Sequence, residues 1–199
     1  MDWLHSVALG AGLAWASGIR LYAVLFLAGL LARLGYLDLP PALDVLQHPL
    51  VLGASAVMAL AELAADKVPG FDSFWDAVHT FIRIPAGAFL AAAALGQADP
   101  VWVAAAAILG GAIASGSHFA KAGGRALINT SPEPFSNWIA SIGEDLLVPA
   151  GFIAAIKAPL AFLALLVLFS IAAVWLLPKA FRALRKILAR LVGPRRLQV

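Results

Sequence analysis

Seven apolar stretches fill most of this 199-residue chain and leave little sequence to meet water. They lie at roughly 3–16, 20–36, 50–65, 84–97, 101–115, 146–157 and 159–177. Hydrophobic residues make up 62% of the chain and charged residues 13%, about half the charged fraction of an average soluble domain. A single soluble core of this size cannot absorb so many apolar side chains. We therefore expect an all-α integral membrane protein.

Several of these stretches are shorter than the roughly 20 residues that a helix needs to cross about 30 Å of hydrocarbon. Short segments are typical of broken or re-entrant helices, or of helices extended by an amphipathic piece. Glycine and proline at Ser17-Gly18, Pro85 and Pro149 predict breaks at those points. We expect a bundle of six or seven short or broken transmembrane helices over residues 1–178, with amphipathic cytoplasmic segments.

The tail at residues 179–199 carries basic residues and no acidic ones, which predicts a cytoplasmic C-terminus by the positive-inside rule. With seven crossings, the segments 66–83 and 116–145 also face the cytoplasm, and only Arg33 and Lys157 fall near the other face. A six-crossing arrangement with a re-entrant N-terminal segment fits nearly as well. Helical alternation of apolar and basic residues predicts that the tail is an amphipathic helix on the anionic inner leaflet.

Two stretches resemble each other at matching intervals. Phe71-Asp72-Ser73-Phe74-Trp75 precedes Ile84-Pro85-Ala86-Gly87, and Phe135-Ser136-Asn137-Trp138-Ile139 precedes Val148-Pro149-Ala150-Gly151. Each copy would comprise a helix, a polar segment and a helix begun by proline. The pattern predicts a parallel internal repeat with units at about 50–97 and 101–157.

The segment 66–83 holds the most concentrated polar pattern. Asp72, Asp76, His79 and Arg83 follow steps of four, three and four residues, which places them on one face of a helix. Aromatic residues occupy the opposite side. Such a helix would lie at the membrane interface or pack its aromatic side into the bundle.

Other charged residues supply plausible partners for this stripe. Glu62 and Asp66 lie one helical turn apart, as do Lys121 and Arg125. A charge in lipid costs several kcal/mol, so these groups must pair or line a polar cavity. Two interpretations stay open: a salt-bridge network that fixes the helix ends, or a binding site between the repeats. The candidate binding residues are Glu62, Asp66, Asp72, Asp76, His79, Arg83, Lys121 and Arg125.

Catalytic motifs are missing from the sequence. Without cysteine, disulfides and thiolate sites are excluded, and there is no His-Glu-x-x-His, no Gly-x-Ser-x-Gly and no phosphate-binding glycine loop. We therefore predict no catalytic residues and no cofactor. Asp72, Asp76 and His79 are candidate ligands for a divalent metal, a question that the sequence leaves open. Because half of the lysines and arginines crowd into the tail, the formal net charge of +3 predicts no nucleic-acid partner.

Two motifs carry a resemblance to a known family. One is the pattern Glu-x-x-x-Asp-Lys-x-Pro-Gly-x-Asp-x-x-x-Asp-x-x-His from Glu62 to His79, and the other is Ser17-Gly18-Ile19-Arg20-Leu21-Tyr22. Over roughly residues 5–175, the chain resembles a family of bacterial multi-pass membrane proteins known only as a domain of unknown function. The resemblance implies a multi-pass membrane protein and transfers no activity. We expect the protein in the bacterial cytoplasmic (inner) membrane.

Charges near the membrane with no evident soluble purpose predict permeation or transport of a small ion or solute. One alternative is a non-transporting membrane scaffold or assembly factor. Another is the handling of lipid or lipid-linked phosphate at the inner leaflet, which needs a lateral opening beside Lys121 and Arg125. The lipid bilayer is the expected partner, and a chain of 20.7 kDa is also compatible with a homo-oligomer.

Overall fold

The computed structural model describes residues 2–68, 70–130 and 135–191, with side chains as far as residue 186. These residues form helices joined by short turns and contain no strand, which confirms the all-α prediction. The elements are α1 (Trp3–Arg33), a short 3₁₀ helix (Pro41–Gln47), α2 (Pro49–Ala65), α3 (Phe71–Ala94), α4 (Pro100–Ile128), α5 (Phe135–Lys157) and α6 (Pro159–Leu191).

The helix starts follow from local sequence. The Asp2 carboxylate accepts a hydrogen bond from the amide of His5, and Asp99 does the same for Val101 at the start of α4. Both satisfy amides that have no partner within the helix. Pro49, Pro100 and Pro159 each occupy the first position of a helix, where proline has no amide to lose.

Five helices, α1 and α3 to α6, are long and apolar enough to cross a membrane. The 3₁₀ helix and α2, bent by 70° at their junction, would make a sixth span within the described residues. Large apolar side chains such as Phe81, Ile139 and Val174 are exposed on the outer faces. These observations support a multi-pass membrane protein whose surface meets lipid.

The first helix is bent back on itself. At Arg20 the backbone leaves helical angles, with φ −141° and ψ 71°. Trp3, at the start of α1, and Asp38, just beyond its end, line the same cavity, so the chain has returned to the side where it began. Each limb is shorter than the about 20 residues of a full crossing, so α1, although long enough from end to end, does not cross as one straight helix. We call this bend the α1 corner; it lies close to the break predicted at Ser17-Gly18.

The other predicted breaks do not occur. α3 and α5 run without interruption through Pro85 and Pro149, and α6 runs through Pro178. An interior proline removes one backbone hydrogen bond, a loss that neighbouring helices and local adjustment make tolerable in membrane helices. The polar segments that were expected to be separate are therefore the first halves of α3 and α5.

The helix bounds bear on two other predictions, the internal repeat and the amphipathic tail. α3 begins at Phe71 and α5 at Phe135, so the similar stretches start the corresponding helices, while the duplication itself stays a prediction. The basic tail continues α6 as helix to Leu191. Residues 192–199, which complete the predicted amphipathic tail, lie outside the described residues.

The bundle has two distinct ends around a central α1, which packs against all five other α-helices. At one end, α2 and α4 finish and α3 and α5 begin; we call it the network end, and the other the opposite end. Towards the opposite end, Gly10 meets Ala91 and Ala94 of α3, and Gly12 meets Ala155 of α5. Small residues of this kind let helix backbones approach closely in membranes.

Candidate functional site

The polar stripe of α3 faces the interior of the bundle. Asp72, Asp76, His79 and Arg83 are buried, whereas Phe81 on the other side is 83% exposed. Of the two alternatives that the sequence left open for this helix, the one that packs the aromatic side into the bundle is therefore wrong. Lipid accepts the aromatic rings without cost, whereas the charges need partners that only the interior provides.

The buried and half-buried charges from five helices form one connected set, which we call the charge network. Its anions come from α2 or the turn after it, from α3 and from α5. Its cations come from the α1 corner, α3 and α4. The members are Arg20, Glu62, Asp66, Asp76, Arg83, Lys121, Arg125, Glu144 and Asp145.

Asp66, in the turn after α2, is the centre of one half of the network. Its Oδ2 lies 2.7 Å from Arg20 Nη1, 2.7 Å from Lys121 Nζ and 3.6 Å from Arg125 Nη2. Burial alone raises the pKa of Asp66, but the charges of Lys121, Arg20 and Arg125 lower the pKa by more than burial raises it. The pKa therefore lies below its ordinary value. This carboxylate is held ionised by three cations.

The acids of α5 complete that half. Glu144 Oε2 lies 3.0 Å from Arg125 Nη2, and Asp145 Oδ1 lies 2.8 Å from Arg20 Nη2. The Arg20 guanidinium also donates to both the carbonyl and the hydroxyl of Ser141. Three cations thus face three carboxylates. We call this balanced group, Arg20, Asp66, Lys121, Arg125, Glu144 and Asp145, the Asp66 cluster.

The other half, the Arg83 cluster, consists of Arg83, Glu62 and Asp76. Arg83 Nη2 lies 2.5 Å from Glu62 Oε1, and Nη1 lies 2.7 Å from Asp76 Oδ1. All three side chains are at most 2% exposed. Glu62 Oε2 and Asp76 Oδ2 are buried without a hydrogen-bond partner among the described residues. Lys121 Nζ lies 3.5 Å from Asp76 but only 2.7 Å from Asp66, so one carboxylate is in excess here.

His118 of α4 adjoins the Arg83 cluster. Its Nδ1 lies 3.5 Å from Arg83 Nη1, and its Nε2 lies 2.7 Å from Thr80 Oγ1. A guanidinium has only donors, so Nδ1 must be the acceptor and Nε2 carries the hydrogen given to Thr80. The Thr80 hydroxyl donates a hydrogen bond to the backbone carbonyl of Asp76. His118 is therefore a titratable group in hydrogen-bond contact with the cluster.

His79 and Asp72 lie at the edge of the network. His79 Nδ1 donates to the Trp75 carbonyl, and its Nε2 lies 3.2 Å from the Tyr22 hydroxyl. Asp72 accepts from the amides of Gly70 and Ser73 and from the Asn129 side chain. It therefore ties the first turn of α3 to Asn129 at the end of α4.

The candidate metal site is not assembled. Asp72, Asp76 and His79 share a helix face, but each is engaged with different partners. Within residues 2–68, 70–130 and 135–191, no group of three histidine, aspartate or glutamate side chains is placed to hold a metal ion.

The structure brings together six of the eight residues chosen from the sequence, Glu62, Asp66, Asp76, Arg83, Lys121 and Arg125. Arg20, His118, Glu144 and Asp145, which belong to the network or adjoin it, were not among the candidate binding residues. Arg20 had a usable signal, because a lone arginine within an apolar run needs a buried acid as its partner. The lateral opening expected beside Lys121 and Arg125 does not appear at those two side chains, which are buried and paired with acids.

Comparison with known proteins agrees with the family resemblance. The sequence profile of the family described as "Domain of unknown function (DUF4126)" matches residues 7–179, which include every member of the charge network. No curated protein and no solved structure matches the chain.

Proposed function

The chain belongs to the DUF4126 family, whose description assigns no activity, and from its buried charges we propose that it moves protons across the membrane. The observation that carries this proposal is the Arg83 cluster. There, two buried carboxylates share one guanidinium, and each keeps one oxygen that finds no hydrogen-bond partner among the residues that the structure describes.

An excess negative charge inside a membrane protein costs several kcal/mol. A proton on Glu62 or Asp76 removes that charge and turns a bare oxygen into a hydrogen-bond donor. Loss of the proton restores the charge beside Arg83, which stabilises the ionised form. The cluster can thus alternate between two protonation states.

A proton suits the close packing of this region better than a larger solute does. It can pass along hydrogen-bonded side chains and needs no open channel at the site. His118 and Thr80 are hydrogen-bonded to each other beside the Arg83 cluster, so they are the side chains available to bring a proton to its carboxylates. Lys121 lies between Asp76 and Asp66 and so joins the two clusters.

The Asp66 cluster has a different part in this proposal. Its three cations and three carboxylates are balanced, and the pKa of Asp66 is lowered. It therefore stays ionised and holds α1, α4 and α5 in position. Asp145, at its rim, is 30% exposed and is the most exposed member of the cluster.

The test is proton flux into liposomes that hold the purified protein and a pH-sensitive dye. With a potassium gradient and valinomycin as driving force, we expect the lumen to acidify faster than in empty liposomes. Glu62→Gln and Asp76→Asn should each lower the rate about tenfold or more, as expected for proton-relay residues. Asp145→Asn is the matched control and should keep most of the rate. Acidification no faster than in empty liposomes would contradict the proposal.

A non-transporting scaffold is the second candidate. The observation that favours it is the balanced pairing of the Asp66 cluster, which ties helices together without a carried ion. A scaffold predicts no flux in the liposome assay. It also predicts that Glu62→Gln and Asp145→Asn are alike in having no effect on proton movement.

A further inference from the structure

Two cavities adjoin at the opposite end of the bundle, away from the charge network. One has a volume of about 340 Å³ and is lined in part by Ser6, Asp38 and Gln97. The other, of about 550 Å³, lies between α1, α3, α4 and α6. Trp3 and Leu95 line both, so a polar chamber and an apolar chamber meet at these two side chains.

The apolar chamber is suited to hydrocarbon. Side chains such as Ala106, Leu109, Leu163 and Val167 line it. The one hydroxyl among its described lining residues, that of Ser170, already donates to the Leu166 carbonyl. A buried water needs about 2–4 polar partners, which this lining does not offer. Leu109 and Val167 are also largely exposed towards the surrounding lipid. Acyl chains are therefore the material available to fill the space.

The polar chamber selects for positive charge. Asp38 is the only charged side chain among the described residues that line it. Gln97 adds an amide group that can donate hydrogen bonds to a phosphate. Trp3 packs edge-to-face against Trp102, with ring centroids 5.5 Å apart. Tryptophan at such a position is typical of the level of the lipid headgroups.

We propose that the two chambers together bind one phospholipid whose headgroup carries an amine. An acyl chain occupies the apolar chamber, and the amine lies against Asp38 in the polar chamber. The volume of the apolar chamber falls within the range of about 300–1,000 Å³ found for ligand pockets. The site is separate from the charge network and does not depend on proton movement.

Native mass spectrometry of the purified protein tests this site. The detergent-solubilised protein is mixed with equal amounts of phosphatidylethanolamine and phosphatidylglycerol that carry the same acyl chains. The wild type should retain one phosphatidylethanolamine. Ala106→Phe fills the apolar chamber and should lower retention about tenfold or more. Ala104→Phe adds the same ring at an exposed position of α4 outside the chamber and should retain the lipid as the wild type does.

Asp38→Asn tests the headgroup. It should retain the two lipids equally, because the chamber has then lost its negative charge. Equal retention of both lipids by the wild type would overturn the proposal, as would equal retention by Ala106→Phe and Ala104→Phe. Size-exclusion chromatography checks that each variant is folded. If Ala106→Phe does not fold, Leu163→Trp fills the same chamber from α6 and replaces it in the test.

Discussion

At the network end, α1 meets its neighbours through charged side chains, whereas at the opposite end it meets the same helices through glycine and alanine. Arg20 forms an ion pair with Asp145 of α5 at a distance of 2.8 Å. Nearer the start of α1, a methyl group added at Gly12 would lie 2.8 Å from the Ala155 Cβ atom. One junction depends on long side chains and opposite charge. The other depends on backbones that nearly touch.

The difference shows two ways of joining helices in a solvent that supplies no hydrophobic force between them. Small residues gain dispersion contacts but tolerate little change in shape. Charges attract over longer distances, but every buried charge needs a partner of opposite sign, because a single missing partner leaves an uncompensated ion in the interior. The two ends should therefore fail for different reasons and by different amounts.

The largest effect should follow loss of the central carboxylate of the network end. Asp66→Asn leaves Arg20, Lys121 and Arg125 without their shared partner, and breaking a buried pair typically costs about 3–5 kcal/mol. Chemical unfolding in detergent measures the change. Asp44→Asn, an exposed acid of the 3₁₀ helix, is the control and should stay within about 0.5 kcal/mol. A loss below about 1 kcal/mol in Asp66→Asn would show that the cluster does not hold the helices.

Acid should remove the same contribution without mutation. The pKa of Asp66 is lower in the folded protein than its ordinary value of about 3.9, so the carboxylate stabilises the fold above that pH. The stabilisation is lost as the pH falls through the lowered, folded value. The melting temperatures of the wild type and Asp66→Asn should therefore converge below about pH 4. A constant gap from pH 7 to pH 3 would argue against this ionised carboxylate.

An added methyl group should disturb the opposite end to a smaller degree. Gly12→Ala forces a shift of α1 against Ala155 of α5, and overpacking of this kind costs about 1–3 kcal/mol. Gly143→Ala makes the same chemical change in α5 where no atom lies within 4 Å. It should be neutral or gain up to about 1 kcal/mol from helix propensity. Equal effects of the two substitutions would contradict close packing at Gly12.

The smallest effect should come from the lipid-facing side of α3. Phe81 is 83% exposed, so Phe81→Ala exchanges one lipid contact for another and should change stability by about 0.5 kcal/mol or less. Thermal unfolding in detergent measures it. A loss comparable to that of Gly12→Ala would mean that this face packs against a second copy of the chain.

The sequence predicts that the protein lies in lipid, and it predicts where its apolar helices lie, because hydrophobicity is a local property of each stretch. The two stretches before Arg33 become the limbs of α1, and each later stretch lies in one of the helices α2 to α6. The continuity of α3 through Pro85 is not predictable from the local pattern, since neighbouring helices decide whether a proline breaks or only weakens a helix.

The candidate site shows the same limit. Regular spacing on one helix identified Asp76 and Arg83, and it also selected His79, which contacts Tyr22 at the edge of the network. Arg20 could not be assigned by spacing, because its partners lie on other helices. Periodicity predicts which residues share a face but not what that face meets.

The α1 corner has a consequence for how the protein enters the membrane during synthesis. Arg20 leaves the ribosome before any of the acids that surround it, since Asp66, Glu144 and Asp145 all follow it in the chain. Until these acids are made, a guanidinium in hydrocarbon would have no counter-charge, which costs several kcal/mol. The tip of the first hairpin must stay among water or lipid headgroups while α2 to α5 are synthesised. Its final depth is set only when the fifth helix arrives.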